Sequence, residues 1–245
     1  MSSMPARQIH GVLFDKDGTL FDFHQTWRSV ITKAAAMASG GSEDLARVMM
    51  EAGGYDAATC RFQADSVIAA GHVGELAELW RDLGAVLPRS DLQRALDAIF
   101  AEEALAGAVP VTDLSILFTH LTRLNLRLGI ATNDSEASAS ATVERYALKE
   151  FVSFVAGYDS GYGAKPGPGM ALAFCESVGL SPRHVAVVGD SRHDMIMGRS
   201  AEVRLCVGVL TGAGTMASLA SQADIVLPDI SGLLELLGRQ PGNIR

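Results

Sequence analysis

The sequence predicts an α/β protein, a parallel sheet covered by helices on both faces and interrupted by an inserted helical cap. Two observations carry this. Short β-branched apolar runs bounded by Gly, Asn or Asp recur along the chain, and helical patterns separate the later ones, as parallel βαβ units require. The first run is the exception, because residues 24–111, far more than one crossover helix needs, follow it without another such run.

The elements read in order as follows. "GVLFD" (11–15) is a buried strand. The insert reads as helices only: "TWRSVITKAAAMA", "SEDLARVMMEAG", "GELAELWRDLG" and "SDLQRALDAIF", the last with Ser90 and Gln93 spaced as a capping box. The strand "LRLGIATND" comes next, then the helix "SEASASATVERYAL" with Ser135 as N-cap, and the strand "FVAG". The helix "GPGMALAFCESVGL" ends near Gly179, and "HVAVVGD", "LCVGVL" and "ADIVL" complete the sheet. The expected organisation is an α/β core from residues 1–23 and 112–245, with a helical cap over 24–111. Phe62 and Trp80 are expected in the cap's own core.

Composition narrows the function classes. With 48% hydrophobic residues, 20% charged and only 8 prolines, the 245-residue chain is globular rather than disordered or fibrous. A formal charge of −8 with no Lys/Arg cluster argues against nucleic acid as a partner. Cys60, Cys175 and Cys206 are distant and odd in number, so neither a disulfide framework nor a zinc pattern is readable, and a reducing cytoplasm is expected. No apolar stretch of ~18 residues occurs, and the opening residues lack an export signal's apolar region, so neither membrane spanning nor export is expected.

The chemistry is concentrated in "FDKDGTLFD", Phe14 to Asp22. Asp15 and Asp17 fit positions one and three of an EF-hand loop, but position six would be Leu20 and position twelve Thr26, and a strand precedes the loop. In an extended segment residues i and i+2 project to one side, so both carboxylates can face a ligand beyond the strand's carboxyl end, where open α/β sheets bind ligands. Gly18 permits a sharp turn that brings backbone N–H groups close to an anion. Two carboxylates and a tight turn suggest metal-assisted phosphoryl chemistry. "LTGAGT" (210–215) lacks the third spaced glycine and the later acidic residue of a dinucleotide fingerprint, and reads as a core loop.

"DKDGTLFD" resembles the first motif of the haloacid dehalogenase superfamily, and three further segments follow in that family's order: "GIATND", "GAKPGPGM" and "VVGDSRHDM". The resemblance implies a Rossmann-like core. It also implies that Asp15 is a nucleophile forming an aspartyl phosphate, and that Asp17 protonates the leaving alkoxide and then activates water. Mg2+ would be held by Asp15, the backbone carbonyl of Asp17 and Asp190, with Asp194 ligating or orienting a bound water; all are hard oxygen ligands. One turn of a helix beginning at Asp190 would bring Asp194 to the same place; read without the family, Asp190 is only that helix's N-cap. Thr132 would hydrogen-bond the phosphoryl group and Lys165 neutralise its charge, with Pro166 restricting Lys165's backbone. Gly18 and Thr19 would add loop donors, and Asn133 would position Asp15 or the phosphate.

Asp17 separates this chain from family members that cleave carbon–halogen or carbon–phosphorus bonds, which lack it. An insert directly after the first motif resembles the subgroup of phosphoglycolate phosphatases and β-phosphoglucomutases, and the residues around "GDSRHDM" look closest to the former. The implied activity is hydrolysis of a small phosphorylated metabolite, such as 2-phosphoglycolate. A sugar phosphomutase and a catalytically silent phospho-ligand sensor are the alternatives. Lys16 departs from the apolar residue usual between the two aspartates, and a salt bridge is its expected role. In the cap, His24, Arg28, Arg61 and His72 are the side chains that could meet an anionic or hydroxylated substrate.

Overall fold

In a computed structural model that describes residues 9–64 and 66–238, β1 (Gly11–Phe14) is buried at every position and occupies the middle of a six-stranded parallel sheet. The chain then leaves the sheet for α1 (Phe23–Ala38), α2 (Glu43–Ala52), β2 (Tyr55–Asp56), β3 (Arg61–Phe62), α3 (Val67–Ala70), α4 (Val73–Asp82), α5 (Arg89–Ile99) and the short α6 (Leu105–Gly107). It returns through α7 (Leu114–Arg123), β4 (Arg127–Ala131), α8 (Glu136–Arg145) and β5 (Val152–Ala156). The other half of the sheet follows: α9 (Gly169–Val178), β6 (Val185–Gly189), α10 (Arg192–Ser200), β7 (Leu205–Val209), α11 (Met216–Ala220), β8 (Ile225–Leu227) and α12 (Leu233–Gly238).

The strand order β5-β4-β1-β6-β7-β8 places β1 between β4 and β6. Alternation along β1 explains its all-apolar sequence: Val12 and Phe14 enter the core on one face with Phe118 and Leu233, while Leu13 meets Phe174 and Met195 on the other. Phe14 lies level with Ile130 of β4 and Val188 of β6, so the three strands end together. The loops leaving them share one edge.

The insert has its own hydrophobic cluster, built on Trp27, Ile31, Trp80, Leu92 and Leu96. Trp80 is fully buried and donates its indole N–H to the Met49 carbonyl at 2.9 Å. Phe62 is buried in the same cluster. Ala213, from the loop after β7, also packs there, tying core to cap.

Three local expectations are corrected. Residues 24–111 are not helices alone, since Tyr55 pairs with Phe62 and Asp56 with Arg61 across a turn in which Asp56 accepts from the Ala58 and Thr59 N–H groups. Two-residue strands are too short to show a period. Ser90 and Gln93 do not cap a helix, because α5 begins at Arg89 behind Pro88 and has no side-chain cap; the Gln93 amide instead donates to the Tyr158 hydroxyl at 2.9 Å. The last of the three is the helix expected to begin at Asp190, which begins at Arg192 with Ser191 as its cap. Ser135 caps α8 and Gly179, with φ 68°, ends α9 as expected. No helix among the described residues is long and apolar enough to cross a membrane.

Candidate active site

Asp15 continues β1, its N–H donating to the Val188 carbonyl at 2.8 Å. Its Oδ1 accepts from Lys165 Nζ at 2.6 Å, and its Oδ2 is buried with no hydrogen-bond partner among the described residues. Lys165 also donates to Asp194 Oδ1 at 2.6 Å, so one ammonium bridges two carboxylates. It is buried, and reaches the site from the loop between β5 and α9, before a cis Lys165–Pro166 peptide.

Asp190 follows β6 and accepts from the Ala213 N–H at 3.0 Å through Oδ2. Asp194 is the third residue of α10, and its Oδ2 accepts from the Ser191 N–H at 3.0 Å and Oγ at 2.6 Å in a reciprocal cap. The helix terminus thus holds Asp194, while Asp190 stands outside the helix on the preceding loop. Carboxylate oxygens of Asp15, Asp190 and Asp194 all lie within 4.8 Å of one another.

Two glycines make room for this cluster. Gly18 has φ +90°, and a Cβ there would come within 2.6 Å of the Asp190 carboxylate. A Cβ at Gly212 would come within 1.8 Å of Asp190 Oδ2. Thr211 from the same loop donates to the Gly18 carbonyl at 2.6 Å. The loop 210–215, expected only as core, therefore braces the site.

Thr132 is buried at the end of β4, with its Oγ accepting from the Asp134 N–H at 3.1 Å. The Asn133 amide is hydrogen-bonded to Lys165 and Ala70 rather than to Asp15. Its amide holds the backbone of Lys165 at both ends, accepting from the N–H at 2.9 Å and donating to the carbonyl at 3.2 Å, and donates to Ala70 of the cap at 2.9 Å. The Gly18 N–H donates to the Phe21 carbonyl at 2.7 Å, so its contribution is the turn. Thr19 is fully buried below that turn.

Lys16 makes the salt bridge expected of it, with one partner, Asp134, that the sequence did not name. Alternation turns it from Asp15, but its ammonium curls back to Asp17 Oδ2 at 2.9 Å and Asp134 Oδ2 at 2.7 Å. Asp134 also accepts from Ser138 Oγ at 2.6 Å and from the Ser135 N–H. This buried group escaped the sequence, although Asp134 ends the quoted "GIATND"; its signal was the unusual lysine beside Asp17.

Electrostatics follow from burial. Desolvation pushes the Asp15 carboxyl up to about 7 against the opposing pull of Lys165, and raises Asp190 well above the carboxylate range, reinforced by Asp15 and Asp194. Asp17 is raised by burial, with Lys16 opposing. Burial favours the neutral form of both lysines, but their paired carboxylates outweigh it and hold them charged.

A cavity between these groups and the cap is lined by Asp15, Asp17, Thr132, Asn133, Lys165 and Asp190 on the core side. His72 reaches it from the cap. His24, Arg28 and Arg61 are not among its lining residues; Arg28 and Arg61 are exposed, and His24 packs against Phe62.

The family model described as "Hydrolase: haloacid dehalogenase-like hydrolase" matches residues 9–202. A phosphoglycolate phosphatase of Photorhabdus laumondii is 26% identical over 97% of this chain and 96% of its own length. A phosphoglycolate phosphatase of Neisseria meningitidis is 35% identical over 44% of this chain, spanning 46% of that protein. Among solved structures, a haloacid dehalogenase-like hydrolase from Bacteroides fragilis superposes with a TM-score of 0.72 at 16% identity, over 92% of this chain and 99% of that one.

Proposed function

The chain belongs to the haloacid dehalogenase-like hydrolases, and from that premise we propose that it is a Mg2+-dependent phosphomonoesterase of small organic phosphates, working through an acyl phosphate formed on the Asp15 carboxylate. The observation that carries this is the asymmetry of Asp15: one oxygen is clamped by Lys165 and the other, buried at the cavity, has no partner among the described residues. A carboxylate so held is oriented for attack and needs no base. The names of the similar proteins put 2-phosphoglycolate among the first esters to test.

Each remaining residue has a task in this reading. Lys165 steadies Asp15 and supplies positive charge where the phosphoryl oxygens gather it, and the Thr132 hydroxyl donates to the same group. Asn133 positions Lys165 through its backbone. Asp17, raised by burial, carries the proton for the leaving alkoxide and takes one from water in the second step.

The donors fit Mg2+: they are carboxylate oxygens with one orphaned among them, and no His or Cys completes a cluster with them among the described residues. Asp15, Asp190 and the Asp17 carbonyl would hold the ion, and Asp194, whose two oxygens already accept hydrogen bonds, would orient its water. Bound there, Mg2+ offsets the repulsion between carboxylate and phosphate.

Two measurements test the proposal. Phosphate release from a panel of phosphorylated metabolites should vanish in chelator and return with Mg2+; undiminished release in chelator would overturn it. A hexose 1-phosphate in the panel should give free phosphate, and conversion to the 6-phosphate isomer would instead make the protein a mutase.

The second is thermal. Asp15 has an ordinary value of 3.8 and a folded value of about 7, so between these pH values the folded state binds more protons than the unfolded state and stability falls as pH rises. Mg2+ binds the ionised form, so the rise in unfolding temperature on adding Mg2+ should be larger at pH 8 than at pH 5. Differential scanning fluorimetry reads this directly, and an equal or larger rise at pH 5 would contradict the assigned ligands.

A further inference from the structure

The half of the cavity that faces the departing alcohol is built almost entirely of hydrocarbon. Phe23, Trp27 and Ile31 from α1, Val67 from α3, Leu76 from α4 and Phe100 form this wall, and most of them are also buried members of the cap cluster. Charge is confined to the floor. The lining there carries four carboxylates, Asp15, Asp17, Asp134 and Asp190, and one ammonium, Lys165, which already bridges Asp15 and Asp194. The nearby ammonium of Lys16 is likewise held by Asp17 and Asp134.

Among the described residues the cap adds no cation to the wall. Its one basic group there is His72, whose ring caps α4, accepting from the Gly74 N–H at 3.1 Å, and stacks on Tyr158 with centroids 5.3 Å apart. Arg28 and Arg61, the cap's candidates for anion recognition, lie outside the lining. A carboxylate carried on the alcohol would lose its hydration against hydrocarbon and gain no counter-charge.

Besides His72, the Trp27 indole interrupts the wall. The indole N–H of Trp27 is buried with no partner at hydrogen-bond distance among the described residues, though it lies close enough to Asp17 to favour that group's ionised form. Buried donors are rarely left unpaired, so this one marks a place for an acceptor atom.

Resting on the phosphatase reading, we infer that the alcohol half of the substrate is uncharged and largely apolar, with one neutral acceptor such as a hydroxyl, ether or carbonyl oxygen opposite Trp27. The carboxylate-bearing ester 2-phosphoglycolate is then a poor substrate.

The test is a matched series assayed with Mg2+: benzyl phosphate, 2-phosphoglycolate, its methyl ester, and 4-nitrophenyl phosphate as a common reporter. The first three leave as primary alkoxides, so differences among them report the wall rather than leaving-group reactivity. Methyl 2-phosphoglycolate differs from the parent acid by the lost charge and one added methyl group, and burying that methyl accounts for only about a fourfold difference. Its kcat/KM, and that of benzyl phosphate, should exceed that of 2-phosphoglycolate by ~10²-fold or more. Val67→Arg, at a half-buried position able to admit a longer chain, should narrow that ratio at least ~10-fold by supplying the missing cation; if this variant does not fold, the wild-type series still decides. Equal or faster turnover of 2-phosphoglycolate than of its methyl ester overturns the inference and leaves the phosphatase reading standing. Failure to release phosphate from any ester, the nitrophenyl reporter included, overturns both.

Discussion

Asp15→Asn should abolish turnover, by ~10⁴-fold or more, and leave no covalent phosphate on the protein. The substitution preserves shape. Asparagine's oxygen can still accept from Lys165, so the clamp seen at 2.6 Å need not collapse. What disappears is the anionic oxygen that would form the bond to phosphorus. The stability consequence runs the other way. Burial disfavours the ionised form of Asp15, and two further carboxylates, Asp190 and Asp194, share the space with Lys165. Removing one negative charge relieves that crowding, so in chelator at pH 8 the variant should be at least as heat-stable as the wild type, while its stabilisation by Mg2+ should shrink. Loss of activity with this pattern separates a chemical role from a structural one. A variant that retained a tenth of wild-type turnover, or that lost activity only by unfolding, would remove Asp15 from the centre of the mechanism.

The parallel core was legible because its signals are local and strong. β1 is apolar at every position for the reason that both faces are covered, and Ser135 and Gly179 mark helix ends through their own hydrogen bonds and φ. The ordered motifs located Asp15, Lys165 and Asp190 because each stands just beyond a strand or in a loop that the topology brings to one edge. What stayed hidden depends on side-chain direction over long sequence separations. No period shows that Asn133 grips the backbone of Lys165, 32 residues on, or that Lys16 meets Asp134 across 118 residues. Asp194 was expected beside Asp190 on one helix turn. Instead Ser191 caps a helix that begins at Arg192, so Asp194 arrives through a cap and Asp190 through a glycine-lined loop. The cap was the least legible part: its charged residues attracted attention in the sequence, but only His72 reaches the cavity and the wall is set by residues that read as ordinary core.

Asp17→Asn should fail in a different way from Asp15→Asn, and Lys16 is the reason the contrast is sharp. Asp17 shares the Lys16 ammonium at 2.9 Å with Asp134, and an asparagine there can keep that contact through its oxygen. The backbone carbonyl assigned to the metal is untouched, so the variant should still bind Mg2+. Only proton transfer is lost, a function typically worth ~10² to 10⁴ in rate. The loss should depend on the leaving group. An alkyl ester departs as a strongly basic alkoxide and needs the proton, so its cleavage should fall by the full factor. The 4-nitrophenyl ester departs as a weak base and should transfer its phosphoryl group to Asp15 with a much smaller penalty. The second step, attack of water on the phosphorylated carboxylate, has lost its base for every substrate. Phosphoenzyme should therefore accumulate with the nitrophenyl ester: a burst of nitrophenol, then slow turnover, and after acid quench a phosphate adduct on the peptide containing Asp15 by mass spectrometry. Equal losses for alkyl and aryl esters with no burst and no adduct would show that Asp17 is not the proton carrier, and that its pairing with Lys16 serves only to hold the loop.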